Sequence, residues 1–364
     1  MVDRPPGRLH RRNLIHDAPP AHPGHRGARR TTLTEPAVAV RNLDTVEDFT
    51  ERLSTTFDTC YTWSYDTFKA GLRNLYEKAK QSQWDQATAL DWSIDVDPEA
   101  ENVPDMNNPL FGTRLWSKFT EPEIRKFRRE QLSWSLSQFL HGEQGALLAT
   151  AQIVDAVPWI DAKYYAATQV MDEARHVETY DHYLRDKVKK EYPINPHLKT
   201  LLDQILTDSR WDMKYLGMQI LVEGLAMAAF GLMEKFSNEP LLKTLTQYVM
   251  RDESRHVAFG VLSLEGVYKD MNERELRERE EFTYEGCRLM RDRLYAVEVW
   301  QEMGLPIRET HEIVMQSEVM REFQKMLFSK VVPNCKRLGL LTPWVRERFH
   351  ELDILKFEHE EASA

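Results

Sequence analysis

The feature that most constrains this chain is a repeated spacing. Glu143 is followed thirty residues later by Glu173 and then by His176, within Asp172-Glu173-Ala174-Arg175-His176. Glu223 is followed thirty residues later by Glu253 and then by His256, within Asp252-Glu253-Ser254-Arg255-His256. Each member of one set lies eighty residues from its counterpart. On a helix, a Glu and a His three apart project from one face about one turn apart and can hold one cation. A single such pair is ordinary on solvated helices, so the weight falls on the second copy and on what lies between the carboxylates. The midpoints read Ala156-Val157-Pro158-Trp159 and Ser237-Asn238-Glu239-Pro240, breaks that fold each stretch into an antiparallel helical hairpin. Each early Glu then lies level with its later Glu-x-x-His.

Burial sharpens this reading. Glu143 sits in Phe139-Leu140-His141-Gly142-Glu143-Gln144-Gly145-Ala146 and Glu223 in Ile220-Leu221-Val222-Glu223-Gly224-Leu225-Ala226. An unpaired carboxylate in such surroundings costs several kcal/mol, and four of them converging in one core repel one another unless cations neutralise them. Two divalent metals balance four carboxylates. One Glu from each of two helices plus a Glu-x-x-His from each of two others is the ligand set of a carboxylate-bridged metal pair in a four-helix bundle. Glu143, Glu173, His176, Glu223, Glu253 and His256 are the candidate ligands and catalytic residues.

At these residues the chain resembles the ferritin-like diiron carboxylate proteins, in particular their oxygen-activating branch. The doubled Asp-Glu-x-Arg-His is similar to the paired motif of bacterial multicomponent monooxygenase hydroxylases and acyl-carrier-protein desaturases. The resemblance covers roughly residues 120–270 and implies an all-α, ferritin-like four-helix bundle with additional N- and C-terminal helices. It implies two iron ions cycling between Fe2+ and Fe3+, with manganese as the alternative ion and dioxygen as co-substrate. It also implies that Asp172 and Asp252 hydrogen-bond the ligand His of the opposite hairpin, with Arg175 and Arg255 holding those Asp side chains. A ligand His needs such an acceptor to fix its tautomer. The chain departs from two members of the branch. Diiron arylamine N-oxygenases carry an additional ligating His where this chain has Val249, and the multicomponent hydroxylases carry a Thr where it has Met227.

The rest of the chain is expected to form a disordered tail and one domain. Residues 1–40 hold seven Arg against three acids, six of the seventeen Pro and four of the twelve His. With almost no large apolar residues they cannot offset the entropy of ordering, and no continuous apolar run marks a secretory signal. Residues 41–364 read as a single ferritin-like domain. Apolar positions from Thr45 to Trp84 (Val46, Phe49, Leu53, Phe57, Tyr61, Tyr65) recur at three and four and predict a long amphipathic helix. Residues 87–119 read as an irregular wrap. Thr120-Glu121-Pro122-Glu123 opens the first bundle helix with a capping box. Bundle helices are predicted at 121–155, 159–190, 209–236 and 239–269, with a connecting helix at 196–208. A charged helix is predicted from Glu273 to about Met303, its charge run being a solvated face. A further helix is predicted over 308–330, and a last short one over 344–355.

Charge and cysteine usage exclude other classes. Beyond residue 40 the net charge is −14, the whole-chain −10 less the +4 of the tail, which gives no support for nucleic-acid binding. The longest apolar run, 217–233, is too short for a membrane span and contains Glu223. Cys60, Cys287 and Cys335 are scattered, as for reduced thiols in a cytoplasmic protein. With neither a Gly-rich dinucleotide fingerprint nor a cysteine cluster, the electrons have to come from a separate reductase, a ferredoxin or a small reductant.

The function expected is oxygenation of a small apolar or aromatic molecule by hydroxylation, N-oxygenation or desaturation, a monooxygenase-like oxidoreductase with homodimerisation left open. Small residues near the early Glu positions, Ala146 and Ala226 among them, leave either a substrate pocket or close helix packing. Two alternatives compete. Tyr180, four residues after His176, resembles the radical tyrosine of ribonucleotide reductase small subunits, and a ferritin-like ferroxidase or iron-storage role would use the same ligands.

Overall fold

A computed structural model describes residues 50–363, and every element below lies within one compact unit, Leu53–Ala364. The tail expected over residues 1–40 and the start of the helix expected from Thr45 lie outside the described residues. Among the described residues the regular structure is entirely helical. Six helices build the site: α1 Ala70–Gln81, α2 Glu121–Ala156, α3 Ile160–Tyr183, α4 Pro196–Thr207, α5 Trp211–Phe236 and α6 Pro240–Leu264.

The helix ends are set by local chemistry. Glu123 accepts from the backbone N–H and the hydroxyl of Thr120, each at 2.7 Å, and so starts α2. Asn195 and Glu239 accept from backbone N–H groups of the first turns of α4 and α6, each of which has Pro at its first position. The chain turns between α2 and α3 at 157–159 and between α5 and α6 at 237–239, giving two antiparallel hairpins. Their apolar faces meet in layers. Tyr165, Tyr215 and Phe259 pack at ring-centroid distances of 4.5 and 4.9 Å about Phe259, and Phe139, Tyr180 and Phe230 form a second aromatic group further along the bundle. Burial of each such side chain contributes about 1.5–3 kcal/mol. The band between the two groups carries the carboxylates.

α5 is irregular where it matters. Residues Leu216–Val222 form a π-helical segment that ends immediately before Glu223, and such wide turns inside α-helices mark functional sites because they rotate the next side chain. Three glycines let neighbours close on this segment. A Cβ on Gly217 would lie 2.4 Å from Ile205, one on Gly286 2.6 Å from Leu221, and one on Gly260 2.5 Å from Cβ of Gln219. The last contact is with the stem of a buried side chain, which cannot swing away. Gly260→Ala is therefore expected to lower stability by about 1–3 kcal/mol, seen as a reduced melting temperature, whereas Gly231→Ala, with nothing within 4 Å, should not.

The segment before α1 corrects the sequence reading. Residues 53–69 are not helical. Tyr61 and Tyr65, two of the positions that recur at helical spacing, are 73 and 64% exposed. The segment is extended across the α2–α3 turn, with the Cys60 N–H donating to Asp155 O and the Thr62 hydroxyl to Pro158 O. The side chain of Asp161 then accepts from Phe68 N–H and Lys69 N–H and starts α1. The physical reason is composition: Thr, Ser and Asp dominate residues 54–67, and their side chains compete with helical backbone bonds.

The C-terminal half differs in detail as well. α7, Glu273–Asp292, does not continue to Met303. It breaks into a 3-10 turn at Arg293–Tyr295, and Ala296 adopts a left-handed conformation with φ 47° before α8, Val297–Glu302. Its charge run is not wholly solvated either. Arg279 is buried and donates to both carboxylate oxygens of buried Asp212 at 2.9 and 3.1 Å, docking α7 on α5. The helix expected over 308–330 is two, α9 Ile307–Gln316 and α10 Glu318–Leu327, broken where Ser317 starts the second. α11 Val331–Arg337 and α12 Pro343–Glu351 follow, with a 3-10 turn at Leu355–His359 after them. α5 has the length and apolar content of a membrane span, but 67% of that window is buried inside the bundle.

Candidate metal centre

The bundle brings the six repeated residues together. Oxygen and nitrogen atoms of Glu143, Glu173, His176 and Glu253 lie within 4.8 Å of one another, as do those of Glu173, Glu223 and His256. Glu173 belongs to both groups. Nδ1 of His176 stands 3.2 Å from Glu143, 3.5 Å from Glu173 and 3.3 Å from Glu253, and Nδ1 of His256 stands 3.1 Å from Glu173 and 3.3 Å from Glu253. Both imidazoles thus turn Nδ1 inward. Their outward Nε2 atoms face the opposite hairpin, His176 toward Asp252 at 3.2 Å and His256 toward Asp172 at 3.3 Å.

The arrangement satisfies only part of its own polar surface. Glu173 Oε2, Glu223 Oε2, both oxygens of Glu253 and His256 Nδ1 are buried without a hydrogen-bond partner, although His256 Nδ1 is within ion-pair reach of two carboxylates. Each such atom costs about 1–3 kcal/mol unless something satisfies it. The donor set of carboxylate oxygens and imidazole nitrogens, with no thiolate, fits divalent iron or manganese, and two such ions balance the four carboxylates.

In the protein alone, protons keep the balance. Burial first, and then neighbouring Glu253, raise Glu143 and Glu223 well above the ordinary carboxylate range. Burial alone would push both imidazoles down. Glu143 and Asp252 around His176, and Glu253 and Glu173 around His256, outweigh it and raise both well above the usual imidazole range. Glu173 is held below its usual range, burial being outweighed by His256 and His176.

An outer layer fixes the inner one. Arg175 donates to Asp172 and, at 3.0 Å, to Asp252, while Arg255 donates to Asp252 and lies 3.6 Å from Asp172. The two Asp side chains are thereby shared between hairpins. Sequence reasoning missed three further members. Gln83 and Trp84, just beyond α1, donate to Asp172 at 2.9 Å and to Asp252 at 2.7 Å, and Gln169 donates to Glu173 at 2.9 Å and to Glu223 at 2.8 Å. Gln169 lies one turn before Glu173 on the same helix face, a signal present in the spacing. Gln83 and Trp84 reach the site from about ninety or more residues away, beyond any local motif.

The family description "P-aminobenzoate N-oxygenase AurF" matches residues 66–339, which takes in the whole bundle and most of the C-terminal helices. The chain belongs to the AurF family. It is accordingly a diiron oxidoreductase of the ferritin-like oxygenase group. No curated protein matches the sequence at a significant level. Among solved structures, an R2-like ligand-binding oxidase with aerobically reconstituted metal cofactor after photoconversion is 16% identical, covers 75% of this chain and 98% of its own, and superposes with a TM-score of 0.45. A variant of such an oxidase with anaerobically reconstituted Mn/Fe cofactor is 16% identical over 77% of this chain and 99% of its own, with a TM-score of 0.48.

Within this AurF-family bundle, Val249 is fully buried among apolar side chains and offers no seventh donor. One cavity borders the cluster and a second adjoins the first at Gln138, Phe139 and Arg293. The inner one, about 30 Å³, is bordered by Glu143, Glu223 and Glu253 with Ala146, Ala226 and Phe230. The outer one, about 480 Å³, is walled by α2, α5, the C-terminal helices and the segment 98–110, with Phe127, Leu225, Leu232 and Leu110 among its apolar side chains. The small residues of the early Glu faces thus leave space rather than only close packing.

Proposed function

We propose that this AurF-family chain binds two iron ions through Glu143, Glu173, His176, Glu223, Glu253 and His256 and uses dioxygen to oxygenate a small organic molecule held in the adjoining cavities. The observation that carries the proposal is the buried six-residue cluster, five of whose inward atoms lack hydrogen-bond partners. When bound, reduced iron supplies the electrons that let dioxygen react with a substrate bond that protein side chains cannot attack. The rest is the work of the chain. Glu173 and Glu253, placed between the two imidazoles, would contribute to holding both ions, and Glu143 and Glu223 would each contribute to holding one. Asp252 and Asp172 take the Nε2 protons of His176 and His256, fixing Nδ1 as the donor. The aromatic groups on either side keep water from the cluster.

N-oxygenation of an aryl amine is the reaction supported by the family match, with four carboxylates and two imidazoles in place of the larger donor set that Val249 rules out. An external electron donor and a cytoplasmic setting belong to the same proposal. Tyr180 is fully buried beside Phe139 and Phe230, and burial keeps its hydroxyl protonated, which suits a packing role beside the substrate better than titration.

The test is a single turnover. The iron-loaded, reduced chain mixed with an aryl amine and 18O-labelled dioxygen should give a product carrying 18O on nitrogen, and unlabelled or absent product with intact two-iron loading would sink the reaction assigned. Asp252→Asn should weaken iron binding by about 10–100-fold, because the amide cannot accept the His176 proton in the same way, and competition with a chelator reads that change directly.

A further inference from the structure

The two cavities differ sharply in size. The inner one, at about 30 Å³, has room for about one or two water molecules and for no ring. The outer one, at about 480 Å³, takes a drug-sized body. A molecule that reacts at the cluster therefore rests mainly in the outer cavity and has to bring its reacting end across the boundary between the two. Among the described residues, three border both cavities: Gln138, Phe139 and Arg293.

These three are not held alike. Gln138 is fixed at both ends of its amide, donating to Pro193 O at 3.0 Å and accepting from the Asn195 N–H at 2.7 Å. Arg293 enters from the turn that follows α7. Phe139 stands one turn before Glu143 on the same face of α2. Its ring meets that of Phe230 from α5 at a centroid distance of 4.7 Å and that of Tyr180 at 5.9 Å. Phe230 is fully buried and borders the inner cavity. The Phe139–Phe230 contact thus spans the gap between the two helices that carry Glu143 and Glu223. Phe139 itself is only half-buried, because part of it faces open space. A phenyl ring makes no hydrogen bond, so dispersion contacts alone hold it in its rotamer. Turning it toward the outer cavity exchanges one apolar contact for another.

We infer that Phe139 is the gate between the two cavities, and that its ring sets how bulky the reacting end of the substrate is allowed to be. A slim aryl amine passes it, and an aryl amine branched on both sides of the nitrogen does not. This deepens the oxygenase reading of the neighbouring cluster and rests on it. Phe139 is not one of the groups gathered to hold the metals, and its role is read by what reaches them.

Two readouts on 4-butylaniline and 4-butyl-2,6-dimethylaniline test the inference. The first needs no turnover: in the iron-loaded, oxygen-free chain, ferrous ions broaden the proton NMR lines of whatever part of a ligand comes near them. In the wild type, the protons flanking the nitrogen of the slim amine should broaden far more than the end of its butyl chain, whereas the methyl protons flanking the nitrogen of the branched amine should not. Phe139→Ala should bring those methyl protons into the broadened range. The second is single turnover with dioxygen. The wild type should favour the slim amine by roughly 100-fold in rate, Phe139→Ala should shrink the ratio by roughly tenfold or more through faster reaction of the branched amine, and Phe139→Trp should widen it. Phe139→Leu should fall between the wild type and Phe139→Ala. Faster reaction of the branched amine does not arise from a damaged fold. Equal approach of both amines to the iron in the wild type, approach of neither, or an unchanged ratio in Phe139→Ala would overturn the inference. Iron content measured on the same samples separates the two claims: two irons per chain with no dependence on Phe139 defeats this inference alone, and absence of iron defeats the oxygenase reading.

Discussion

Glu173→Ala is expected to leave the chain with less than one tightly held iron and to lower oxygenase turnover by about 10³-fold or more. Glu173 is the residue common to both groups of donor atoms, with one oxygen 3.1 Å from His256 Nδ1 and the other 3.5 Å from His176 Nδ1. On the proposed assignment, its removal takes a ligand from both ions at once. It also strips Gln169 of one acceptor and removes the anion that, in the metal-free chain, stands between two imidazolium rings. Glu173→Gln keeps the volume and loses the charge, so a similar loss of iron in both variants would identify the charge as the cause. Circular dichroism should remain helical in each, since α3 keeps its apolar face. Two irons retained in either variant would contradict the bridging role.

The second large effect is on pH dependence. Glu143, Glu223, His176 and His256 all bind their protons more tightly in the folded chain than in the unfolded one. A raised folded pKa contributes stability that is complete below the unfolded value, about 4.3 for Glu and 6.5 for His. That stability is lost as pH rises through the folded value. The metal-stripped chain should therefore melt at progressively lower temperature from about pH 6.5 upward. Glu173, Asp172 and Asp252 have lowered pKa values and act in the opposite sense, but only in acid, outside this window. Metal ions displace the protons, so the loaded chain should show a flatter profile, and its iron affinity should climb with pH. Melting curves of stripped and loaded protein between about pH 6 and 9 check both slopes. Equal slopes would show that the ions do not replace those protons.

The repeat carried most of the site because its physics is local. Helical spacing places Glu173 with His176 and Glu253 with His256, and the Pro-containing breaks at Pro158 and Pro240 fold each stretch back so that Glu143 and Glu223 come level with them. What the sequence hid depends on contacts between distant segments. No pattern announces that Gln83 and Trp84, just beyond α1, reach Asp172 and Asp252, or that a π-helical segment precedes Glu223. Arg293 falls within the charged helix the sequence predicts, and only the break at Ala296 sets it at the border of both cavities. The segment before α1 misled for the opposite reason: its aromatic residues fall at helical intervals, while the Thr, Ser and Asp between them favour extended chain. Periodicity was a weaker guide there than composition.

A pair of metal ions in one bundle is the central claim, and the most direct test is to load the purified chain with ferrous iron without oxygen, count the bound metal, and measure the metal–metal distance by X-ray absorption. Two irons per chain at roughly 3.5–4 Å from each other, both lost together in Glu173→Ala, is the predicted result. A single iron, two irons too far apart to share Glu173, or none would contradict it.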